Sequence, residues 1–148
     1  MKQILKIPTE KDWGDYKSDL DQKYAYKIFF GKNLEEARHL FQGAVIERTE
    51  ELRFMPVIPF QYYIGAYYQY VTSPAVLSNR NAPDAASCFL RLVESKLSDD
   101  PVSISPLMKE LMPAIEYLAK NQALFDADID IYGDFNEILL EIKRLAQI

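Results

Sequence analysis

The sequence predicts an all-α protein, an irregular bundle of five or six helices formed by a single domain of residues 1–148. Three observations support this prediction. Apolar residues recur at intervals of three and four over most of the chain, which is the spacing of one helix face. Several of these periodic segments begin with a helix-capping residue. Hydrophobic residues make up 49% of the 148 residues, which is enough for one buried core.

The N-terminal segment is predicted to be helical, although one part of it is ambiguous. Trp13, Tyr16, Leu20 and Tyr24 follow helical spacing, whereas residues 24–30 also alternate well enough to form a β-strand. A short strand is also compatible with residues 3–7. The alternative fold is therefore α+β, with a small N-terminal sheet made from these two segments.

Two helices are predicted in the next part of the chain. Over residues 33–47 apolar side chains recur at helical spacing, and Asn33 with Glu36 resembles a capping box. After a short turn, Pro59 stands in the first turn of a helix, where its missing N–H costs nothing. One apolar stripe predicts that this helix is the central one. The stripe consists of Phe60, Tyr63, Ile64, Tyr67 and Val71.

A long loop and a fourth periodic segment follow. Residues 72–83 are rich in Ser, Pro and Asn, so we expect a loop there, and we expect Asp84 to cap the next helix. Residues 98–101 end that helix. Its core face consists of Ala86, Phe89, Leu90, Val93 and Leu97.

Two further helices complete the predicted bundle. Ser105 and Pro106 begin a helix that Pro113 must kink or divide, with the break near Leu111. A second capping-box pair, Asp134 and Glu137, precedes an amphipathic helix that runs to the C-terminus. The core-facing residues are Leu107, Leu111, Ile115 and Leu118 in the first helix and Phe135, Ile138, Leu139, Ile142 and Leu145 in the second.

The charge balance favours a basic protein as partner. With 17 basic and 22 acidic residues the net charge is −5, which argues against nucleic-acid binding because phosphate neutralisation requires positive charge. No apolar run has the form of a signal peptide or approaches the roughly 20 residues of a membrane span. We therefore expect a cytoplasmic protein with no membrane partner. The sequence carries no signature of an oligomeric state.

Residues 126–137 resemble a calcium-binding loop in their spacing. Carboxylates occupy the first, third, fifth and ninth positions, and Glu137 occupies the twelfth, where an EF-hand places its bidentate ligand. The sixth position requires a positive φ but is filled by the β-branched Ile131, whereas Gly133 comes two residues later. We therefore predict no metal site and interpret the aspartates as helix caps and solvated side chains.

Half of the 10 tyrosines lie in the predicted central helix. At about 100° per residue, Tyr63 and Tyr67 join its apolar stripe, whereas Tyr62 points to the opposite side, beside Gly65. Two interpretations remain open. In the first, Gly65 and Ala66 allow a second helix to approach closely, and the tyrosines are core residues. In the second, Tyr62 and its neighbours form an exposed aromatic patch, a composition enriched at protein interfaces.

No motif of a catalytic or cofactor site occurs in the sequence. His39 lies opposite the apolar stripe of its helix and is expected to be exposed. Cys88, the single cysteine, lies on a second apolar strip, as expected of a buried and unreactive thiol. The motifs G-x-S-x-G, H-E-x-x-H and G-x-G-x-x-G are missing. We therefore expect neither enzymatic activity nor a cofactor.

Three stretches loosely resemble parts of small uncharacterised bacterial proteins. They are residues 60–67 (FQYYIGAY), 84–89 (DAASCF) and 125–135 (FDADIDIYGDF). This resemblance implies no activity and carries no catalytic residue over to the chain. In size and acidity the chain is also similar to immunity proteins, which neutralise bacterial toxins.

The leading hypothesis is a non-enzymatic protein-binding module of the immunity type, which covers a basic toxin domain with an acidic, tyrosine-bearing surface. Asp126, Asp128 and Asp130 are predicted to supply the charge. Tyr62 and Tyr68 are predicted to supply the contacts. The alternative is an enzyme or small-ligand binder with a pocket between helices, lined by tyrosine and carboxylate groups.

Overall fold

A computed structural model describes residues 6–148, and every regular element in that part of the chain is helical. Three short 3-10 turns, at Lys11–Trp13, Tyr16–Ser18 and Ser105–Leu107, accompany the α-helices. The α-helices are α1 (Leu20–Phe29), α2 (Leu34–Gly43), α3 (Val45–Arg53), α4 (Val57–Val71), α5 (Pro74–Leu77), α6 (Ala82–Asp99), α7 (Pro101–Ile104), α8 (Met108–Lys120), α9 (Ile129–Tyr132) and α10 (Phe135–Ala146). None of the helices within residues 6–148 combines the length and the apolar content needed to cross a membrane.

The predicted all-α class is confirmed, but the helices are more numerous than the five or six predicted. Residues 6–148 contain no strand, so the alternative sheet is not supported. Residues 24–29 belong to α1, and the end of the alternating segment is its C-cap, Phe30. Of the strand considered at residues 3–7, only Lys6 and Ile7 lie within the described residues, and neither forms a strand.

Helix α1 turns a different face to the core from the one suggested by its periodicity. Asp19 caps the helix by accepting hydrogen bonds from the backbone N–H groups of residues 21 and 22. Ala25 and Phe29 are fully buried, whereas Leu20 is 85% exposed and Tyr24 is 52% exposed. The buried Trp13 and Tyr16 lie in the preceding 3-10 turns, so they do not continue the apolar face of α1.

Residues 33–47 were predicted as one helix but contribute to two. The capping box is confirmed, because Asn33 Oδ1 accepts from Glu36 N at 2.8 Å and Glu36 Oε1 accepts from Asn33 N at 3.0 Å. Helix α2 ends at Gly43 because the next residue, Ala44, leaves the helical region with φ −157° and ψ 67°. This break allows α2 and α3 to pack separately on α4.

Helix α4 is the central helix, as predicted. Every residue from Pro59 to Val71 is buried or half-buried, and α4 contacts α2, α3, α5, α6, α7 and α8. Buried tyrosine hydroxyls need partners. The Tyr63 hydroxyl lies 2.8 Å from two backbone carbonyl oxygens, those of residues 29 and 32. The Tyr67 hydroxyl donates to the carbonyl of Ala85, also at 2.8 Å.

Helix α6 packs against α3, α4, α8 and α10, and all five residues of its predicted core face are buried. Two details of its N-terminal side differ from the prediction. Asn81 occupies the N-cap position, and Asp84 lies inside the first turn. The predicted loop at residues 72–83 contains α5, where Pro74 occupies the first turn and its fixed φ suits a helix start.

Helices α8 and α10 complete the bundle and pack on each other and on α6. The predicted division at Pro113 is wrong, because α8 continues through this exposed residue from Met108 to Lys120. The capping box predicted for α10 does not form, although Asp134 caps the helix through a different backbone N–H. Asp134 accepts from Asn136 N at 2.8 Å, whereas Glu137 is exposed and does not complete the box.

Candidate partner-binding surface

The three predicted aspartates lie together in the segment between α8 and α10, residues 121–134, which we call the acidic loop. Asp126, Asp128 and Asp130 are all exposed. None of the ion pairs formed among residues 6–148 involves them. Their negative charge is therefore directed to solvent rather than neutralised within the fold.

Three apolar side chains of the acidic loop are exposed as well. Leu124 is 53% exposed, Ile129 is 57% exposed and Ile131 is 74% exposed. Sequence reasoning missed these residues because it considered only the carboxylates. The available signal was the alternation Asp-Ile-Asp-Ile over residues 128–131, in a segment with too many charges to be buried. Apolar side chains among charged ones form the kind of surface that binds proteins.

The side chain of Gln122 holds the two ends of the acidic loop together. Its Nε2 donates to the carbonyl of Ala127 at 3.0 Å and to the carbonyl of Gly133 at 2.7 Å. Its Oε1 accepts from Phe135 N at 2.9 Å. One amide therefore fixes the loop at three backbone positions, including the first residue of α10.

Two aromatic side chains attach the acidic loop to the bundle. Phe125 is fully buried, and its ring meets that of Tyr117 edge-on with centroids 6.0 Å apart. At the other end, the Tyr132 hydroxyl donates to Asp84 Oδ1 at 2.9 Å. Burial and the neighbouring Asp84 carboxylate raise the pKa of Tyr132. The loop is thus held from inside while its aspartates and isoleucines remain outside.

The backbone of the acidic loop depends on two residues with positive φ. Asp126 adopts φ 57°, in the left-handed region that aspartate tolerates better than most residues. Gly133 adopts φ 81°, and a Cβ added there would lie 3.2 Å from Arg91 Nη2. Glycine at 133 therefore serves the turn into α10 and leaves room for the end of the Arg91 side chain.

The two residues considered for reactivity, His39 and Cys88, differ in their exposure. His39 is exposed, as predicted. Cys88 is half-buried, and burial, followed by the Asp84 and Glu50 carboxylates, raises its pKa to about 11. The thiol is therefore protonated and a weak nucleophile near neutral pH.

The two tyrosines predicted to contact a partner have different surroundings. Tyr62 is only 5% exposed, and its ring stands edge-on against that of Tyr63 with centroids 4.8 Å apart. Helix α2 covers this side of α4, where Leu34 Cδ2 would lie 3.6 Å from a Cβ on Gly65. The exposed-patch interpretation is therefore wrong for Tyr62, which is a core residue. Tyr68 is half-buried on α4.

The calcium-loop arrangement does not form. Among residues 6–148, no three His, Cys, Asp or Glu side chains converge as a metal site requires. Residues 129–132 form α9 instead, and the Asp128 side chain caps this turn by accepting from Asp130 N at 2.8 Å. The Asp134 side chain is similarly engaged as the cap of α10.

The groove between α1 and α3 comes nearest to the predicted tyrosine and carboxylate pocket. It is open and measures about 320 Å³. It is lined by Tyr24, Ile46 and Phe54 together with Asp21, Glu47, Glu50 and Glu51. Burial raises the pKa of Glu51, although Arg48 acts in the opposite direction by donating a hydrogen bond of 2.7 Å. Since Arg48 already binds the most buried carboxylate, the groove offers mainly exposed carboxylates to a ligand.

Comparison with known proteins yields no match. No protein-family model, no protein of curated function and no solved structure matches this chain. The chemistry and shape of the acidic loop therefore provide the basis for a functional proposal.

Proposed function

We propose that this protein is a non-enzymatic binding module that uses the acidic loop to bind a basic protein. The observation that carries the proposal is the exposure of Leu124, Ile129 and Ile131 among three unpaired aspartates. Removing apolar surface from water contributes about 25 cal/mol per Å² and supplies affinity. The carboxylates accelerate encounter with a positive surface and disfavour acidic partners.

The attachment of the acidic loop supports this proposal. A flexible loop loses conformational entropy when it binds, whereas a pre-organised loop avoids much of that cost. The hydrogen bonds of Gln122, the buried ring of Phe125 and the bond from Tyr132 to Asp84 hold the loop in one shape. The loop can therefore present its apolar side chains without first being ordered by the partner.

The most specific form of this proposal is that the partner is a basic toxin domain and that the protein is of the immunity type. Domains that act on nucleic acids carry positive surfaces that neutralise phosphate, so an acidic inhibitor complements them. The net charge of −5 supports this form. Tyr68 is half-buried on α4 and keeps some accessible surface, whereas the buried Tyr62 offers no contact area in this conformation.

Site-specific photo-crosslinking in cells of the source organism tests the proposal. A photoreactive amino acid is placed at Ile131, and a matched control places it at Leu140, a similarly exposed apolar residue on α10. We expect an adduct with a basic protein from position 131 only. Replacing Asp126, Asp128 and Asp130 together by Asn should reduce its yield, because the attraction to the positive surface is lost.

Two results would overturn the proposal. One is the same adducts from positions 131 and 140, since the acidic loop would then have no preferred partner. The other is a specific adduct whose yield is unchanged by the triple Asn substitution, since charge would then play no part in binding.

A further inference from the structure

We propose that two copies of this chain associate through the exposed face of α1. The two-fold axis of this dimer lies between the two copies of α1 and is parallel to them. This surface differs from the acidic loop, and the proposal does not rest on the proposed function. Its centre is a ridge formed by Leu20 and Tyr24, which are one helical turn apart, 85% and 52% exposed. Apolar side chains this exposed on one helix face are suited to the centre of an interface.

One side of the ridge is basic and aromatic. A groove of about 700 Å³ runs between α1 and the preceding 3-10 turn, and Lys17, Lys23 and Lys27 line it. All three lysines are exposed. The rings of Tyr16, Tyr26 and Phe30 stack beside it, with successive centroids 3.9 Å and 4.4 Å apart. This side of the ridge offers positive charge over an apolar floor.

The other side of the ridge is acidic. The groove between α1 and α3 carries the exposed carboxylates of Asp21, Glu47 and Glu50. Two partly exposed apolar residues, Ile46 at 50% and Phe54 at 42%, lie among them. The Leu20–Tyr24 ridge therefore separates three exposed lysines from three exposed carboxylates.

This charge distribution selects a second copy as the occupant and fixes the direction of the axis. With a two-fold axis perpendicular to α1, the lysine side of one copy would meet the lysine side of the other. With the axis along α1, the lysine side of each copy meets the acidic side of its partner, and ridge packs against ridge. A closed two-fold interface uses the same surface on both subunits, so both charge contacts form at once.

Sedimentation velocity of the purified full chain, over a wide concentration range at low and high salt, tests the association. We expect a monomer–dimer equilibrium that shifts towards monomer at high salt, because salt screens exposed charges. Two charge-reversal variants, Lys23→Glu with Lys27→Glu and Glu47→Lys with Glu50→Lys, should each dimerise at least about tenfold more weakly. The substituted side chains are exposed, and Arg53, which loses its ion pair with Glu50, keeps its hydrogen bond to Ser95, so the fold should persist.

An equimolar mixture of the two charge-reversal variants provides the decisive measurement. Of the charged residues named beside the ridge, the first variant keeps Lys17 as its one lysine and the second keeps Asp21 as its one exposed carboxylate. The mixture should therefore form a heterodimer more tightly than either variant dimerises alone. The matched control, Lys109→Glu with Lys120→Glu on α8, makes the same charge change away from α1 and should dimerise as the parent does.

Three results would overturn the proposal. The first is a parent chain that remains monomeric at every concentration. The second is a dimer that both charge-reversal variants leave unchanged. The third is a mixture that fails to form the heterodimer, which would exclude the axis along α1. Photo-crosslinking from the acidic loop is unaffected by any of these results, so the two proposals can fail separately.

Discussion

The Tyr132 hydroxyl donates a hydrogen bond of 2.9 Å to the Asp84 carboxylate, and this bond ties the acidic loop to the first turn of α6. Replacing Tyr132 by Phe keeps the ring and removes the bond. We expect a loss of about 0.5–1.5 kcal/mol in the free energy of unfolding. Hydrogen exchange of residues 128–133 should also accelerate. Tyr68→Phe, at a half-buried tyrosine on α4 outside the acidic loop, is the control, and equal losses in both variants would contradict the role of the bond.

The Gln122 side chain is expected to determine the conformation of the whole acidic loop. Gln122→Ala removes all three of its hydrogen bonds and leaves half-buried backbone groups unpaired. We expect a loss of about 1–3 kcal/mol in the free energy of unfolding. Denaturant unfolding measures this loss, and hydrogen exchange should locate the added mobility in residues 123–134. The control Gln42→Ala, at an exposed residue of α2, should leave both measurements near the parent values.

Two glycine substitutions should have effects of opposite sign. Gly133→Ala forces a side chain into φ 81° and against Arg91, so we expect a destabilisation of about 1–2 kcal/mol. Gly43→Ala lies at the end of α2 with open space around the new Cβ, so we expect a stabilisation of about 0.5–1 kcal/mol. Denaturant unfolding compares the two. Adding Arg91→Ala to Gly133→Ala should restore only part of the loss, since the backbone strain remains.

The buried tyrosines of α4 predict unfolding at alkaline pH. Burial raises the pKa values of Tyr63, Tyr67 and Tyr70 above the ordinary value of 10.0. Above that pH the unfolded chain loses tyrosine protons that the folded chain retains. Stability is therefore fully present below pH 10.0 and falls as the pH rises towards the folded-state pKa values.

Circular dichroism and tyrosinate absorbance, recorded together during alkaline titration, check this prediction. We expect the buried tyrosines to ionise only as the helices unfold, in one coincident transition. Tyr67→Phe removes the most buried hydroxyl and keeps the ring stacked on Phe41, so its alkaline midpoint should move to higher pH. Ionisation of all tyrosines well before helix loss would contradict the buried positions of these hydroxyls.

Local patterns predicted the features that depend on neighbouring residues. The capping box of Asn33 and Glu36 formed because both partners lie within one turn of helix. The core face of α6 was predicted because its apolar residues recur at helical spacing within one segment. The same kind of pattern misled at Leu20, which lies on an apolar stripe by its spacing but is exposed. Periodicity identifies such a stripe without showing whether another element covers it.

The candidate surface was predicted only in part. The sequence left the exposure of Asp126, Asp128 and Asp130 open, and the structure shows that all three are exposed. The exposure of Ile129 and Ile131 was signalled only by their alternation with aspartates, since isoleucines are buried in most proteins. It arises because Gln122 and Phe125 hold the loop with these two side chains facing solvent.

The amino-acid sequence alone determined the helical class, the central position of α4 and the acidity of the loop, since each depends on composition and on spacing within a segment. Only the tertiary structure decided that Tyr62 is buried beneath α2 and that Leu20 is left in solvent. The physical reason is that burial depends on which elements pack against each other, and distant parts of the chain determine that packing.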